Sequence, residues 1–488
     1  LFVAALIDGE ESTSFPTTSG YTASGECTRN GKKVNAKESI VWNGTEWELT
    51  AKITNGNVRC NAIFTTKVPT LAETILAHNE VKTPLTTPGA EVSAYTLDDV
   101  TTTSTYSVSS TDQSYYVTYG TGWKANGSKF NLTGATVTSS TFSSSYSELV
   151  GKYLLATSYF NVRDFSKSTK TLSKTTNQDK LYYVVSATSS SITYKDINSN
   201  KKVTESLIAT TEDDYGTSYY FRGAVTNNYV EFANKCWRIV RVGGDGSVKL
   251  ILHNDNTTGV ANPCDAANNS ASAAFARYSG TTYKSAFNTN YNDNAYVGFK
   301  YGTPGSSTYE ATHANTNNST ILTNLEAWYN NNDNFKKYEK VIADTVWCND
   351  KTNVTDTSYD PLRLSPNGLG YGANKTYYGA TQRLVNTSGS AGGTGPSLKC
   401  NGELSKINSK VGLITADELA LAGYAYAKNN TTTYLQENAT DTYWWSLSPN
   451  NLNNGNANVW NWNSDNSNLN NNNVDNTNAV RPANFSRV

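Results

Sequence analysis

A chain of 488 residues, 17% charged and 37% hydrophobic, is globular but polar and too long for one compact core, so about two to four domains are expected. Its formal net charge of −1 gives no field to gather nucleic acid or acidic lipid, which excludes those partners. Abundant Thr and Val, with 32 Tyr, favour strands over helices.

In chain order, Leu1 to Ile7 form an apolar run too short to span a bilayer; an edge strand is expected. Ser39 to Thr50 reads as a hairpin turning at Asn43-Gly44, where both residues tolerate positive φ. Cys27 and Cys60 bracket it, and Trp42 and Trp47 are expected to pack over a crosslink between them. Residues 1–67 thus read as a small β-sandwich. Residues 70–80 read as a short helix, followed by a linker from Thr83 to Pro88. From about 95 to 206 short alternating runs such as Tyr115–Tyr119 and Leu181–Val185 indicate a β-rich spacer.

Near Glu212 the character changes. Cys236–Val242, Gly243–Gly246 and Ser247–Leu252 read as a hairpin. Ile321, Leu322, Leu325, Trp328 and Tyr329 mark the apolar stripe of a helix. Thr415-Ala-Asp-Glu418 is a capping box that starts another helix at Ala416. Both helices are read as core elements. Tyr443 to Pro449 is followed by a stretch, 450–478, in which 16 of 29 residues are asparagine. Trp460, Trp462, Leu469 and Val474 recur there at strand-like intervals, so a short-stranded sheet with a polar outer face is expected rather than disorder. Ala479-Val-Arg-Pro482 closes the pattern.

Six cysteines without a CxxC pair and three histidines, His78, His253 and His313, make a poor zinc inventory and suit structural disulfides of an exported protein. Their pairing is left open among many connectivities. The chain has no methionine, even at position 1, and is read as a mature product whose export signal and anchor lie outside it.

Seven segments carry a resemblance: Asp213–Gly223, Cys236–Arg241, Ala295–Gly305, Thr345–Asp350, Gly412–Glu418, Tyr443–Pro449 and Val480–Pro482. Through them residues 207–488 resemble the C-type-lectin-like domains of gut bacterial surface proteins, related to the formylglycine-generating, sulfatase-modifying fold. The first module, with Phe15-Pro16, Cys27, Val41-Trp42, Trp47 and Cys60, is similar to the small Ig-like repeats such proteins carry. The middle module resembles no family. The resemblance implies mixed helices and antiparallel sheet whose C-terminal strands and loops present a ligand surface. In variable proteins of diversity-generating retroelements that surface is diversified at adenine-containing codons, typically of asparagine, and the run here looks like such a region; low genomic G+C content is the bland alternative. Related surface proteins also imply the pairs Cys236–Cys264 and Cys348–Cys400. Cys27–Cys60 likewise keeps its bridge within one domain.

An enzyme is not expected. Sulfatase-modifying enzymes need a reactive cysteine pair near the C-terminal part of the fold, and no cysteine follows Cys400. Asp417 and Glu418 are adjacent carboxylates, but a helix start favours acidic residues anyway, and no Gly-x-Ser-x-Gly elbow occurs. The Glu-Pro-Asn or Gln-Pro-Asp loop of calcium-dependent lectins is missing, and Trp347-Cys-Asn-Asp350 interrupts their Trp-Asn-Asp strand. Asp465 and Asp475 carry oxygen ligands, yet neither metal nor cofactor is assigned.

The expected architecture is mainly β with an α+β C-terminal part: an Ig-like module (1–67), a helix, linker and β-rich spacer (68–206), and a C-type-lectin-like domain (207–488). The expected role is extracellular, at a cell surface, binding a protein or glycan ligand of another cell, phage or host. The ligand-contacting residues are read as Asn451, Asn453, Asn456, Asn458, Trp460, Asn461, Trp462, Asn463, Asp465, Asn466, Asn468, Asn470, Asn472, Asp475 and Asn476. Trp444, Trp445, Arg481 and Pro482 are read as scaffold. A stalk or filament subunit without a specific ligand is the alternative.

Overall fold

The computed structural model describes residues 2–53, 55–84, 208–278, 281–343, 345–363 and 375–487, together with strands and turns between 94 and 196. Strands dominate, and they form several separate sheets. The chain divides into two compact units, Leu1–Thr74 and Ile75–Val488.

In the first unit, strands β1 (Phe2–Ile7), β2 (Glu10–Ser12), β3 (Tyr21–Arg29), β4 (Lys32–Lys33) and β7 (Arg59–Thr66) form one sheet in the order β2-β1-β7-β3-β4. The initial apolar run is therefore not an edge. β1 pairs in parallel with β7 and antiparallel with β2, so both of its backbone edges are claimed. Strands β5 (Ser39–Trp42) and β6 (Trp47–Thr50) form the expected hairpin, but its turn works differently from the expectation. Only Gly44 takes a positive φ, 105°, while the Asn43 carboxamide accepts from the Thr45 and Glu46 amides at 2.9 Å each, an Asx turn.

Cys27 and Cys60 face each other across β3 and β7 and are bonded, with Cα atoms 4.0 Å apart. They pack with Ala36 and Val58. Trp47 instead meets Phe64, at 5.3 Å, and Trp42, at 5.6 Å. Phe64 lies towards the far end of β7 from Cys60, so Trp47 covers a second cluster, with Ala5 and Ala62, and not the crosslink as expected.

In the second unit, residues 115–118 of the first alternating run and Leu181–Val185 lie on strands Gln113–Thr118 and Lys180–Ala187 of a six-stranded antiparallel sheet, with Val184 and Ile192 fully buried; Tyr119 lies outside the described residues. Further on, β8 (Ile208–Asp213), β9 (Gly216–Phe221), β10 (Lys235–Val242), β11 (Val248–Asn254) and β15 (Ala483–Ser486) pair antiparallel in that order. A second sheet runs from short strands Lys284–Ser285 and Asn478–Ala479 through β12 (Trp444–Asn453), β13 (Asn456–Asn463) and β14 (Asn468–Asn473).

Val480–Pro482 link the two sheets. The Ala276 amide donates to Val480, the Arg481 Nε to Leu252, and the Leu252 amide to Pro482, each at 2.9 Å. Trp444, Trp445, Arg481 and Pro482 are all buried, as the scaffold reading requires.

After helix α1 (Leu71–His78), helix α2 (Thr320–Asn330) starts under the Ser319 hydroxyl, which accepts from the Leu322 amide, and buries Ile321, Leu322, Leu325 and Trp328. Helices α3 (Asp333–Lys337), α4 (Gly379–Leu384) and α5 (Ala416–Ala422) follow. At α5 both bonds of the capping box form between Thr415 and Glu418. Cys236–Cys264 and Cys348–Cys400 complete three disulfides, bonds that persist in oxidising compartments.

Removing the first bridge (Cys27→Ala with Cys60→Ala) frees a loop with a sequence separation of 33, which chain-entropy arguments value at about 3–4 kcal/mol. Denaturant titration of the intact chain should show that loss in the first unit alone.

Candidate ligand-binding surface

The asparagine-rich strands owe their register to their turns. β12 and β13 meet at Asn454-Gly455, with φ of 49° and 77°, the two left-handed positions of a tight hairpin. β13 and β14 meet through residues 464–467, where the Asn463 carboxamide accepts from the Asp465 amide at 3.0 Å. Directly opposed residues share a face of the sheet. Trp444 opposes Trp462, and Trp462 opposes Leu469; Trp460 opposes Asn471. Towards the hairpin, Asn451 opposes Asn458, Asn458 opposes Asn473, and Asn453 opposes Asn456.

Two register shifts, on either side of Pro449, turn Asn451 onto the same face as Trp444. One face therefore carries tryptophans at one end, with Asn471 beside Trp460, and Asn451, Asn453, Asn456, Asn458 and Asn473 towards the other.

The tryptophan end is core. Trp460 and Trp462 are each 0% exposed, so the expectation that they contact a ligand is corrected. Trp462 stacks on Trp444 at 6.0 Å and 24°, with Tyr424 edge-on at 6.2 Å. Trp460 meets Tyr426 at 5.6 Å, and its indole N–H reaches the Thr381 hydroxyl of α4 at 3.3 Å. Each indole has on the order of 150–250 Å² to bury, far more than any asparagine can return.

The asparagine end is graded. Asn451 and Asn458 are buried and form an amide ladder: Asn458 donates to Asn451 at 2.8 Å and Asn451 to Asn450 at 2.6 Å. They position the patch and do not present it. Asn453, Asn456, Asn471 and Asn473 are half-exposed. Among the described residues, the side chains of Asn456, Asn471 and Asn473 have no hydrogen-bond partner. β14 is the edge of its sheet, yet its backbone is largely occupied. Leu469 bonds Ala425 and Ala427, the Asn471 amide donates to the Asn470 side chain, and the Asn473 carbonyl accepts from Asn476. Such self-capping protects an edge from adventitious pairing.

The remaining expected contacts fall elsewhere. Asn461, Asn463 and Asn468 lie on the opposite face and are buried, which removes them as contacts; Asn468 donates to Asn429 at 2.8 Å. Asn470 and Asn472 are half-exposed on that face, Asn466 is half-exposed in a turn, and Asp465, Asp475 and Asn476 are exposed. Asp465 accepts the Tyr443 hydroxyl. Asn471 and Asn473 were not expected as contacts. The signal for them is the turn at 464–467: counting back from Asn463 opposite Asn468 brings Asn473 to Asn458.

Asp417 and Glu418 do more than cap α5. Glu418 binds Lys249 at 2.7 Å and Arg241 at 2.9 Å, Arg241 also binds Asp213 at 3.2 Å, and Arg383 bridges Asp417 and Asp350 at 2.7 Å each. Burial alone would raise the Glu418 carboxyl, but Lys249 and Arg241 outweigh it and hold the group below its usual range. Burial pushes Lys249 down to about 8 against the pull of Glu418. His253 and His313 are buried too, and desolvation pushes them down to about 2 and about 3.

Comparison with protein-family models, with curated proteins and with solved structures finds no match.

Two outcomes are expected from mutation here. Trp460→Ala should cost about 3–5 kcal/mol, whereas Asn471→Ala should stay within about 0.5 kcal/mol; urea unfolding measures both. Glu418→Gln should cost about 3–5 kcal/mol by leaving buried cations short of a partner. In the wild type, the folded carboxyl titrates below its ordinary value of 4.5, so its contribution is full above that pH and is lost as pH falls below it. A stability–pH curve for the Gln variant should lack that component.

Proposed function

We propose that this chain is an exported cell-surface binding protein, without catalytic activity, that presents a patch of asparagine side chains to a protein or glycan ligand. One observation carries the reading. Asn456, Asn471 and Asn473 share one sheet face and are half-exposed, while the buried tryptophans further along that same face anchor the strands that carry them. Amides donate and accept without charge and adapt to many partners, as polar paratope residues do. A rigid base spares the ordering cost that a flexible loop would incur on binding.

The C-type-lectin-like assignment for residues 207–488 belongs to the same proposal. It is supported by an antiparallel sheet that its last strand joins, and by strands near the C-terminus that carry the patch. The Ig-like assignment for residues 1–67 rests on a small sheet stapled by Cys27–Cys60. On this reading the half-exposed asparagines are the positions that diversification would vary.

The test is an array of glycans and extracellular proteins probed with the full chain and with a triple variant, Asn456→Ala, Asn471→Ala and Asn473→Ala. A ligand bound by the wild type should bind the variant at least about tenfold more weakly, with an unchanged thermal midpoint. Equal binding by both proteins would sink the proposal.

A further inference from the structure

A second concavity lies away from the asparagine patch, on the first antiparallel sheet of residues 208–486. It is a cleft of about 350 Å³ between the β-turn at Asn234, the loop at Asn256 and Thr257, the link from α2 to α3 at Asn331, and Asn334 in the first turn of α3. That volume is at the lower end of small-molecule sites, which span about 300–1,000 Å³.

Its floor is a charged pair closed on itself. The Lys235 ammonium donates to the Asp255 carboxylate at 2.5 Å and to the Asp255 carbonyl at 2.7 Å, and the two side chains are 5% and 2% exposed. The other Asp255 oxygen accepts from the Arg277 amide at 2.7 Å and the Trp328 indole N–H at 3.2 Å. Lys235 also sits 5.4 Å from the Trp328 ring centre. These bonds fix the indole as a rigid wall, and the two charges cancel. The Arg277 guanidinium is engaged by the Ser272 hydroxyl at 2.7 Å.

The mouth is built of neutral amides. Asn234 and Asn331 are exposed and Asn334 is half-exposed. Asn234 is held in the left-handed region, φ 59°, by the hairpin it terminates. Asn256 staples the opposite loop: its side chain donates to the Asn234 and Val260 carbonyls at 2.8 and 3.0 Å and accepts from the Val260 amide at 2.9 Å. A locked floor, an indole wall and uncharged donor–acceptor groups at the opening match the vicinal hydroxyls of a pyranose ring. The remaining charge of the lining, the Arg277 guanidinium, is bonded to the Ser272 hydroxyl, which lies outside the lining.

We infer that this cleft is a binding site for a neutral sugar residue of a glycan, separate from the asparagine patch on the C-terminal sheet.

Saturation-transfer NMR with the full chain tests it, using methyl glycosides of neutral hexoses and N-acetylhexosamines, with glucuronate as the acidic arm. The expected result is saturable, millimolar binding of a neutral glycoside. Asn331→Trp, which fills the mouth, and Asn334→Ala should each weaken it at least about tenfold without moving the thermal midpoint. The Asn456, Asn471 and Asn473 triple variant should bind the sugar normally, which separates failure here from failure of the proposed function. No saturable neutral glycoside, binding that survives both cleft variants, or tighter binding of glucuronate would each overturn the inference.

Discussion

The stacking of Trp462 on Trp444 is the contact on which the C-terminal sheet depends. Asparagine is among the poorer strand formers, and a strand as rich in it as β13 would not order itself from backbone pairing alone. Two indoles at one end supply the buried area that the rest of the strand lacks. Arg481 lies across the other side of Trp444, 5.0 Å from its ring centre, and its Nε is bonded to the backbone of β11. The pair is thereby tied to the first sheet. Position in the second sheet is inherited from that anchor.

With the anchor in place, the asparagines divide by depth. Of those that fall inside, Asn450, Asn451 and Asn458 bond one another and Asn468 bonds Asn429, since a buried carboxamide without a partner is costly; the Asn461 Oδ1 is left without a partner. On the edge strand, Asn471 and Asn473 keep their side-chain polar atoms for solvent. A similar division holds for charge. Asp213, Arg241, Lys249, Glu418, Arg383, Asp350 and Asp417 form chains of buried ion pairs that join β8, β10 and β11 to α4 and α5. Such chains demand one arrangement of those elements, since any other leaves a charge unpaired in a poor solvent.

What could be read from the sequence was what local chemistry decides. The capping box at Thr415, the stripe that became α2, the hairpin after Cys236 and the folded state of the asparagine run all follow from neighbours a few residues apart. What escaped depends on partners far away. Nothing in Phe2 to Ile7 announces a parallel neighbour at Arg59 to Phe64. Trp47 could not reveal that Phe64, and not the crosslink, would receive it. Which asparagines of β12 join this face turns on the shifts around Pro449, where a residue without an amide proton interrupts the ladder. Taking neighbours of both faces together as contacts brought in Asn461 and Asn463, and only the register across the 464–467 turn brings Asn471 and Asn473 to the face of Asn458.

The pairing of β15 with β11 has a consequence for how the chain matures. Val248 pairs with Ser486, so a chain made from its N-terminal side cannot close this sheet until residue 486 has been added. Contacts so distant along the chain slow folding, and until then Arg481 has not reached Trp444. The asparagine-rich face is therefore completed late, after the segments that it packs against are in place.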